Sequence, residues 1–195
     1  MKKTNSASQN TPNWKEGSIS HHTLLTKKLA PLEYLVEDLL ITPGLVVFAG
    51  IKKIGKSWMT LQLAQSVASG SRFLDNPTKQ GAVLYLALED GKRRLKQRLE
   101  LQNTSLDLPV TSYFEWSPLN SAEGLEKLLS AIQVLKPVLV IIDTLASAKD
   151  KRSKENEADS MGELFNLLHS LAIKGNTVIL VVSHHGKKPY EDIGF

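Results

Sequence analysis

The sequence has 195 residues, 42% of them hydrophobic, which suits one globular domain with a core of its own. It has no cysteine, excluding disulfides and thiolate metal sites; its apolar runs are far too short to span a bilayer, and Met1 to Asn5 is polar where a secretory signal would be apolar, so a cytoplasmic protein with no membrane partner is expected. The net charge of +4 sits in residues 1–29, which hold five lysines and one acid; residues 30–195 hold 19 basic and 19 acidic residues, so the basic character describes a tail and argues little for nucleic acid.

Residues 1–22 are rich in Ser, Thr, Asn, Gln and Lys with no apolar period, and read as a disordered polar tail ahead of one domain over 23–195. His21-His22 reads as a solvated pair. Residues 30–43 suggest a short extended element closed by a turn at Pro43-Gly44. Gly44 to Ala49 is an apolar strand. After Gly50-Ile51-Lys52-Lys53-Ile54-Gly55-Lys56-Ser57 comes a helix to Ser69, apolar nearly all round and so expected to be buried, with Gly70 ending it.

Ala82 to Leu88 is continuously apolar, as a strand covered on both faces would be, and it runs into Glu89-Asp90-Gly91. A charged helix follows from Lys92 to Leu101. Tyr113 to Trp116 is a short strand candidate. Ser121 caps a helix with Leu125, Leu128, Leu129, Ile132 and Leu135 on one face, broken at Lys136-Pro137. Val138 to Ile142 is a second buried strand, ending in Asp143-Thr144. Residues 146–158 form a charged loop, Asp159 to Lys174 a helix, and Thr177 to Val182 a third buried strand ending in Ser183-His184-His185. Buried strands alternating with helices imply a mostly parallel sheet with helices on both faces.

The strand–GxxxxGKS–helix arrangement is a P-loop. Gly50 and Gly55 allow backbone turns closed to other residues, so that successive amides face one concavity at a helix N-terminus, where phosphate binds. Gly50, Ile51, Lys52, Lys53, Ile54, Gly55, Lys56, Ser57 and Trp58 are therefore the candidate nucleotide-binding residues. Lys56 would reach the β/γ-phosphates and the Ser57 hydroxyl would bind Mg2+. The Trp58 ring itself reads as core rather than as a platform for a base.

In parallel α/β sheets ligands bind at the carboxyl ends of the strands, and four strands here end in chemistry. Asp143, after an apolar run, has the pattern of a Walker-B aspartate and would hold Mg2+ beside Ser57. Glu89 is the candidate to orient water and take its proton, with Asp90 as competitor; the longer side chain reaches further. His184 and His185 stand where a polar group can bond the γ-phosphate and report its loss.

On these stretches, and above all on Leu88-Glu89-Asp90 and His184-His185, the chain resembles the RecA-like P-loop ATPases, more narrowly the RepA-type hexameric replicative helicases and related AAA-type ATPases of plasmids, phages and integrative elements. The resemblance implies ATP and Mg2+ as ligands and a ring, commonly a hexamer, hydrolysing ATP at subunit interfaces. In it Lys56 contacts phosphate, Ser57 and Asp143 contact Mg2+, Glu89 is the base, and a histidine is the sensor. The family often has Pro where Lys52 stands. It also continues past the sensor strand with further strands and an interface arginine, so the resemblance implies a domain incomplete at Phe195. In such rings the loop after the Walker-B strand faces the channel. Here it carries Lys149, Lys151, Arg152 and Lys154, which would meet single-stranded DNA or simply be solvated among Asp150, Glu155 and Glu157.

Three functions follow for test: a helicase-type DNA motor, a nucleotide-gated DNA-binding or regulatory protein with little hydrolysis, and a small-molecule P-loop kinase. The absence of an arginine-rich lid argues against the last.

Overall fold

The computed structural model describes residues 17–149 and 157–184. The chain forms two units, Met1–Pro31 and Leu32–Phe195. In the first, among the described residues, α1 (His21–Thr26) is capped by Ser20, whose hydroxyl accepts from the Thr23 amide at 3.1 Å, and it buries nothing. This short helix starts inside the segment expected to be an unstructured tail, because Ser20 supplies a cap that composition alone does not weigh.

The second unit begins with a small antiparallel pair, β1 (Glu33–Val36) and β2 (Leu40–Thr42), in place of the single extended element expected there. The main sheet follows, built from β3 (Gly44–Gly50), β4 (Val83–Ala87), β5 (Val110–Tyr113), β6 (Leu139–Asp143) and β7 (Val178–His184). Its order is β3-β7-β6-β4-β5 and every pairing is parallel. The helices are α2 (Lys56–Ser69), α3 (Lys92–Leu101), α4 (Ala122–Leu135) and α5 (Glu157–Gly175).

Strand alternation divides the core into two layers. Val83, Tyr85, Ala87, Leu139, Ile141, Leu180 and Val182 pack with Leu61, Leu63, Ala64 and Val67 of α2 and Leu95 of α3. Leu84, Leu86, Val140, Ile142, Ile179 and Val181 pack with Leu128 and Ile132 of α4 and Leu164, Leu168 and Ala172 of α5. The sheet is thus covered on both faces, which is why β4 and β6 are buried at every position. The chain is an α/β protein with a five-stranded parallel sheet flanked by helices.

Two local expectations are corrected. The strand expected at Tyr113–Trp116 is Val110–Tyr113, paired with Val83 to Leu86. Trp116 lies past its end, edge-on to Tyr113 at 5.0 Å, with its indole N–H donating to the Gly124 carbonyl at 3.2 Å. Its aromatic character covers a core edge and does not extend the ladder. Trp58, expected in the core, is 39% exposed. Its ring is covered by the Arg98 guanidinium at 5.5 Å, so the apolar count around α2 overstates its burial.

Candidate functional site

Parallel pairing delivers the carboxyl ends of β3, β7, β6 and β4 to one edge of the sheet. The register sets Gly50 opposite His184 and Ala87 opposite Asp143. The Asp143 carbonyl accepts from the amides of both Leu88 (2.8 Å) and Glu89 (3.2 Å), which fixes the β4 exit against the end of β6. Glu89, Asp143, His184 and the loop after Gly50 are therefore brought together by backbone hydrogen bonds alone.

The loop itself turns at two residues of positive φ, Lys53 (+65°) and Gly55 (+96°). Gly55 is the N-cap of α2 and gives it no side-chain cap, so the first amides of the helix stay open to an anion. Gly50 does not need positive φ, contrary to the expectation for it. A Cβ there would meet the Lys56 stem at 3.6 Å, an ordinary contact, so Gly50 serves as the end of β3 rather than as a turn. Lys56 is buried, and its ammonium donates to the carbonyls of Gly50 (2.9 Å) and Ile51 (2.7 Å). Ile51, Lys52, Lys53 and Ile54 are exposed around it, and Ser57 is half-buried.

Asp143 is buried on the α2 face of the sheet. Burial pushes its carboxyl above the usual range, the Ser57 and Tyr85 hydroxyls pull it back, and the charges of Glu89 and Asp90 raise it further. The Tyr85 hydroxyl donates to Oδ2 at 2.9 Å, while Oδ1 is buried without a hydrogen-bond partner. A buried carboxylate oxygen left unpaired beside a helix-borne hydroxyl is what a hard divalent cation needs. Mg2+ keeps several waters and takes one or two protein oxygens with the phosphates, so Ser57 and Asp143 fit it. Among the described residues, no cluster of three or more His, Cys, Asp or Glu side chains suggests an all-protein metal cage.

Glu89 and Asp90 differ sharply in their surroundings. The Glu89 side chain is about half exposed, and its Oε2 lies 3.1 Å from His184 Nε2. A carboxylate only accepts, so Nε2 donates; Nδ1 of the same ring is buried without a partner. The Asp90 side chain is 9% exposed and bound by Arg98 through Oδ2 and by Arg94 through Oδ1 at 3.2 Å. Asp90 is thus neutralised within an ion-pair cluster that also reaches α2 through the Arg98–Trp58 contact. Only Glu89 of the two faces the open edge with a free oxygen.

Lys149 is half-buried at the exit of β6. Lys151, Arg152, Lys154 and His185 lie outside the described residues. Sequence reasoning passed over Tyr85, and it placed Arg98 only on the surface of the charged helix Lys92 to Leu101, where the structure pairs it with Asp90. Tyr85, the one hydroxyl in an otherwise apolar strand, shares a face with Asp143 by strand parity. Arg98 follows Asp90 and Arg94 at helical spacing, which marks one face of α3. Tyr85 is fully buried and its phenol pKa is pushed well above its ordinary value, first by burial and then by the Asp143 charge.

A protein-family profile described as an AAA domain matches residues 16–189. Among solved structures the chain is similar to a KaiC-like protein from the hyperthermophilic archaeon Pyrococcus horikoshii OT3, at a TM-score of 0.60 and 13% identity over 84% of this chain and 77% of that one. At that identity the likeness speaks for the fold alone. No curated protein matches the chain.

Proposed function

Because the chain belongs to the AAA domain family of P-loop ATPases, we propose that it is a Mg2+-dependent ATPase of the replicative helicase type, a ring-forming motor acting on single-stranded DNA in a plasmid, phage or other mobile element. The observation that carries the catalytic part is the meeting, at one sheet edge, of Lys56, Ser57, Asp143 and a Glu89 side chain that, among the described residues, bonds His184 Nε2 and pairs with no lysine or arginine.

In this reading the open amides of the α2 N-terminus and Lys56 hold the β/γ-phosphates. Phosphate oxygens replace the Gly50 and Ile51 carbonyls that the ammonium now contacts. Ser57 and Asp143 would hold Mg2+, which when bound neutralises charge growing on the phosphate oxygens. Glu89 orients water and accepts its proton through the oxygen not engaged by His184. Residues 149–154 supply the basic loop for DNA, and a ring, in the simplest case a hexamer, provides the interfaces. No helix among the described residues is long and apolar enough to cross a membrane.

The Glu89–His184 contact favours a second reading. A base already held by a neighbouring strand suits a nucleotide-gated DNA-binding or regulatory protein that turns over slowly until His184 lets go. ATP hydrolysis with and without single-stranded DNA, against Lys56→Ala and Glu89→Gln, separates the two. Turnover stimulated by DNA and abolished by both substitutions supports the motor. Nucleotide binding with negligible turnover in either condition supports the gate and overturns the motor.

A further inference from the structure

Tyr85 is among the largest fully buried side chains in the molecule, and it lies in the layer between the sheet and α2 with apolar neighbours on its own strand. A phenylalanine would fill the same volume without a hydroxyl to desolvate. The hydroxyl has two partners. It donates to Asp143 Oδ2 at 2.9 Å, and Thr60 Oγ1 lies 3.1 Å away on the other side. Thr60 is one turn beyond Ser57 in α2; with the phenol proton on Asp143, the Thr60 hydroxyl donates to the phenol oxygen, and the Ser57 carbonyl at 3.3 Å is its alternative acceptor. One phenol on β4 therefore ties the helix that carries Ser57 to the strand that carries Asp143.

The link has a direction at the carboxylate. Oδ2 is occupied by Tyr85 and Oδ1 is left buried and unpartnered. A carboxylate held by one oxygen cannot rotate about its terminal torsion without breaking that bond, so the other oxygen is fixed. Register explains how the bond arises. Tyr85 pairs with Ile141, so Asp143 is its diagonal neighbour two positions on, on the same face of the sheet.

We propose that Tyr85 is a positioning residue: its hydroxyl, braced by Thr60, holds Oδ2 of Asp143 so that Oδ1 alone is presented to the metal beside Ser57. The inference rests on the reading of Asp143 as a Mg2+-holding residue. It assigns the metal-facing role to one atom, and it makes Mg2+ affinity depend on a group that touches neither nucleotide nor metal.

The test is calorimetric titration of the full chain with a non-hydrolysable ATP analogue, in Mg2+ and again in EDTA, for wild type, Tyr85→Phe, Thr60→Val, Asp143→Asn and the Tyr85→Phe/Asp143→Asn double variant. The quantity read is the gain in affinity that Mg2+ gives. Tyr85→Phe should reduce that gain about tenfold, the scale for a group supporting a metal ligand, with affinity in EDTA unchanged. Thr60→Val, which keeps the phenol and removes its brace, should reduce it less, and it decides the matter if Tyr85→Phe does not fold. In the Asp143→Asn background Tyr85→Phe should add nothing. A Mg2+ gain that survives Tyr85→Phe, or equal loss with and without Mg2+, overturns the proposal while leaving Asp143 as the metal-holding residue if Asp143→Asn still removes the gain. A gain that survives Asp143→Asn overturns the reading of Asp143 and the positioning role with it.

Discussion

His184 Nε2 lies 3.1 Å from Glu89 Oε2, so the end of β7 grips a carboxylate that belongs to β4, across the whole width of β6. The residue paired with His184 in the sheet is Gly50, where the phosphate loop begins. A change at the phosphates thus has a two-step route to the proposed base: loop to His184, then His184 to Glu89. Replacing His184 by Ala should leave Glu89 unrestrained in every state, so the ratio of DNA-stimulated to basal ATP turnover should fall towards one. The KM for ATP should change little, since the ring makes no contact with Lys56 or Ser57 among those seen. Steady-state turnover with and without single-stranded DNA checks this, and a ratio equal to wild type would remove His184 from the coupling.

Glu89 and Asp90 are adjacent in sequence and opposite in circumstance. Glu89→Gln keeps the hydrogen bond to His184 in one amide orientation and removes the proton acceptor. Binding of Mg2+-ATP should persist while turnover falls by about 10²- to 10⁴-fold. Asp90→Asn leaves Arg98, which is itself largely buried, and Arg94 without their carboxylate. It should cost about 2 kcal/mol of stability, between exposed and buried pairs in scale, and lower turnover only indirectly. Denaturant unfolding alongside single-turnover hydrolysis distinguishes them. The assignment of Glu89 fails if Asp90→Asn gives a stable, nucleotide-binding, inactive protein and Glu89→Gln does not.

Asp143 should oppose folding in the nucleotide-free protein. Its folded pKa is raised, chiefly by burial. Below the unfolded carboxyl pKa both states hold the proton and nothing is lost. As pH rises past that value the unfolded state gives up its proton first, so stability falls until the raised folded pKa is passed, and the deficit stays full above it. Asp143→Asn removes the ionisation. At pH 7 and without ligand it should raise Tm by roughly 2–4 °C, corresponding to about 1 kcal/mol for a domain of this size. The difference should vanish in acid. Thermal melts of both proteins from pH 3 to 8 test the sign, and a variant less stable than wild type at pH 7 would contradict it.

How much of this could be read in the chain follows from where the information lies. Gly55, Lys56 and Ser57 are legible because the loop is local, and Glu89 and Asp143 because a buried strand running into a carboxylate is a local pattern too. Their meeting at one edge follows from parallel pairing. Tyr85 is different. Its partner is 58 residues away, and the bond depends on β4 lying beside β6 in one particular register. Strand parity narrows the choice, but register is fixed only by packing. The Arg98–Asp90 pair fixes which of two carboxylates is free, and it too depends on how α3 leaves β4. The exposure of Trp58 and the start of β5 are not legible in this way, because aromatic and apolar residues mark a core edge as readily as its centre.

The basic loop after β6 carries the claim on DNA, and it yields a quantitative test. Lys149, Lys151, Arg152 and Lys154 stand close together in sequence, with Asp150, Glu155 and Glu157 among them. Each lysine or arginine that neutralises a phosphate of a single strand adds about 0.7 to the slope of log affinity against log salt. If all four make contact, replacing them by Gln should flatten the slope by roughly 2 to 3. Nucleotide affinity should hold, since none of the four belongs to the phosphate loop or to the Ser57–Asp143 pair. If the acids offset the cations, the charge difference is small and the slope stays where it was. Fluorescence anisotropy of a labelled single strand over a salt series decides between them: a slope lowered by two or more puts the loop on the phosphates, and an unchanged slope puts the DNA, if it binds, on another surface.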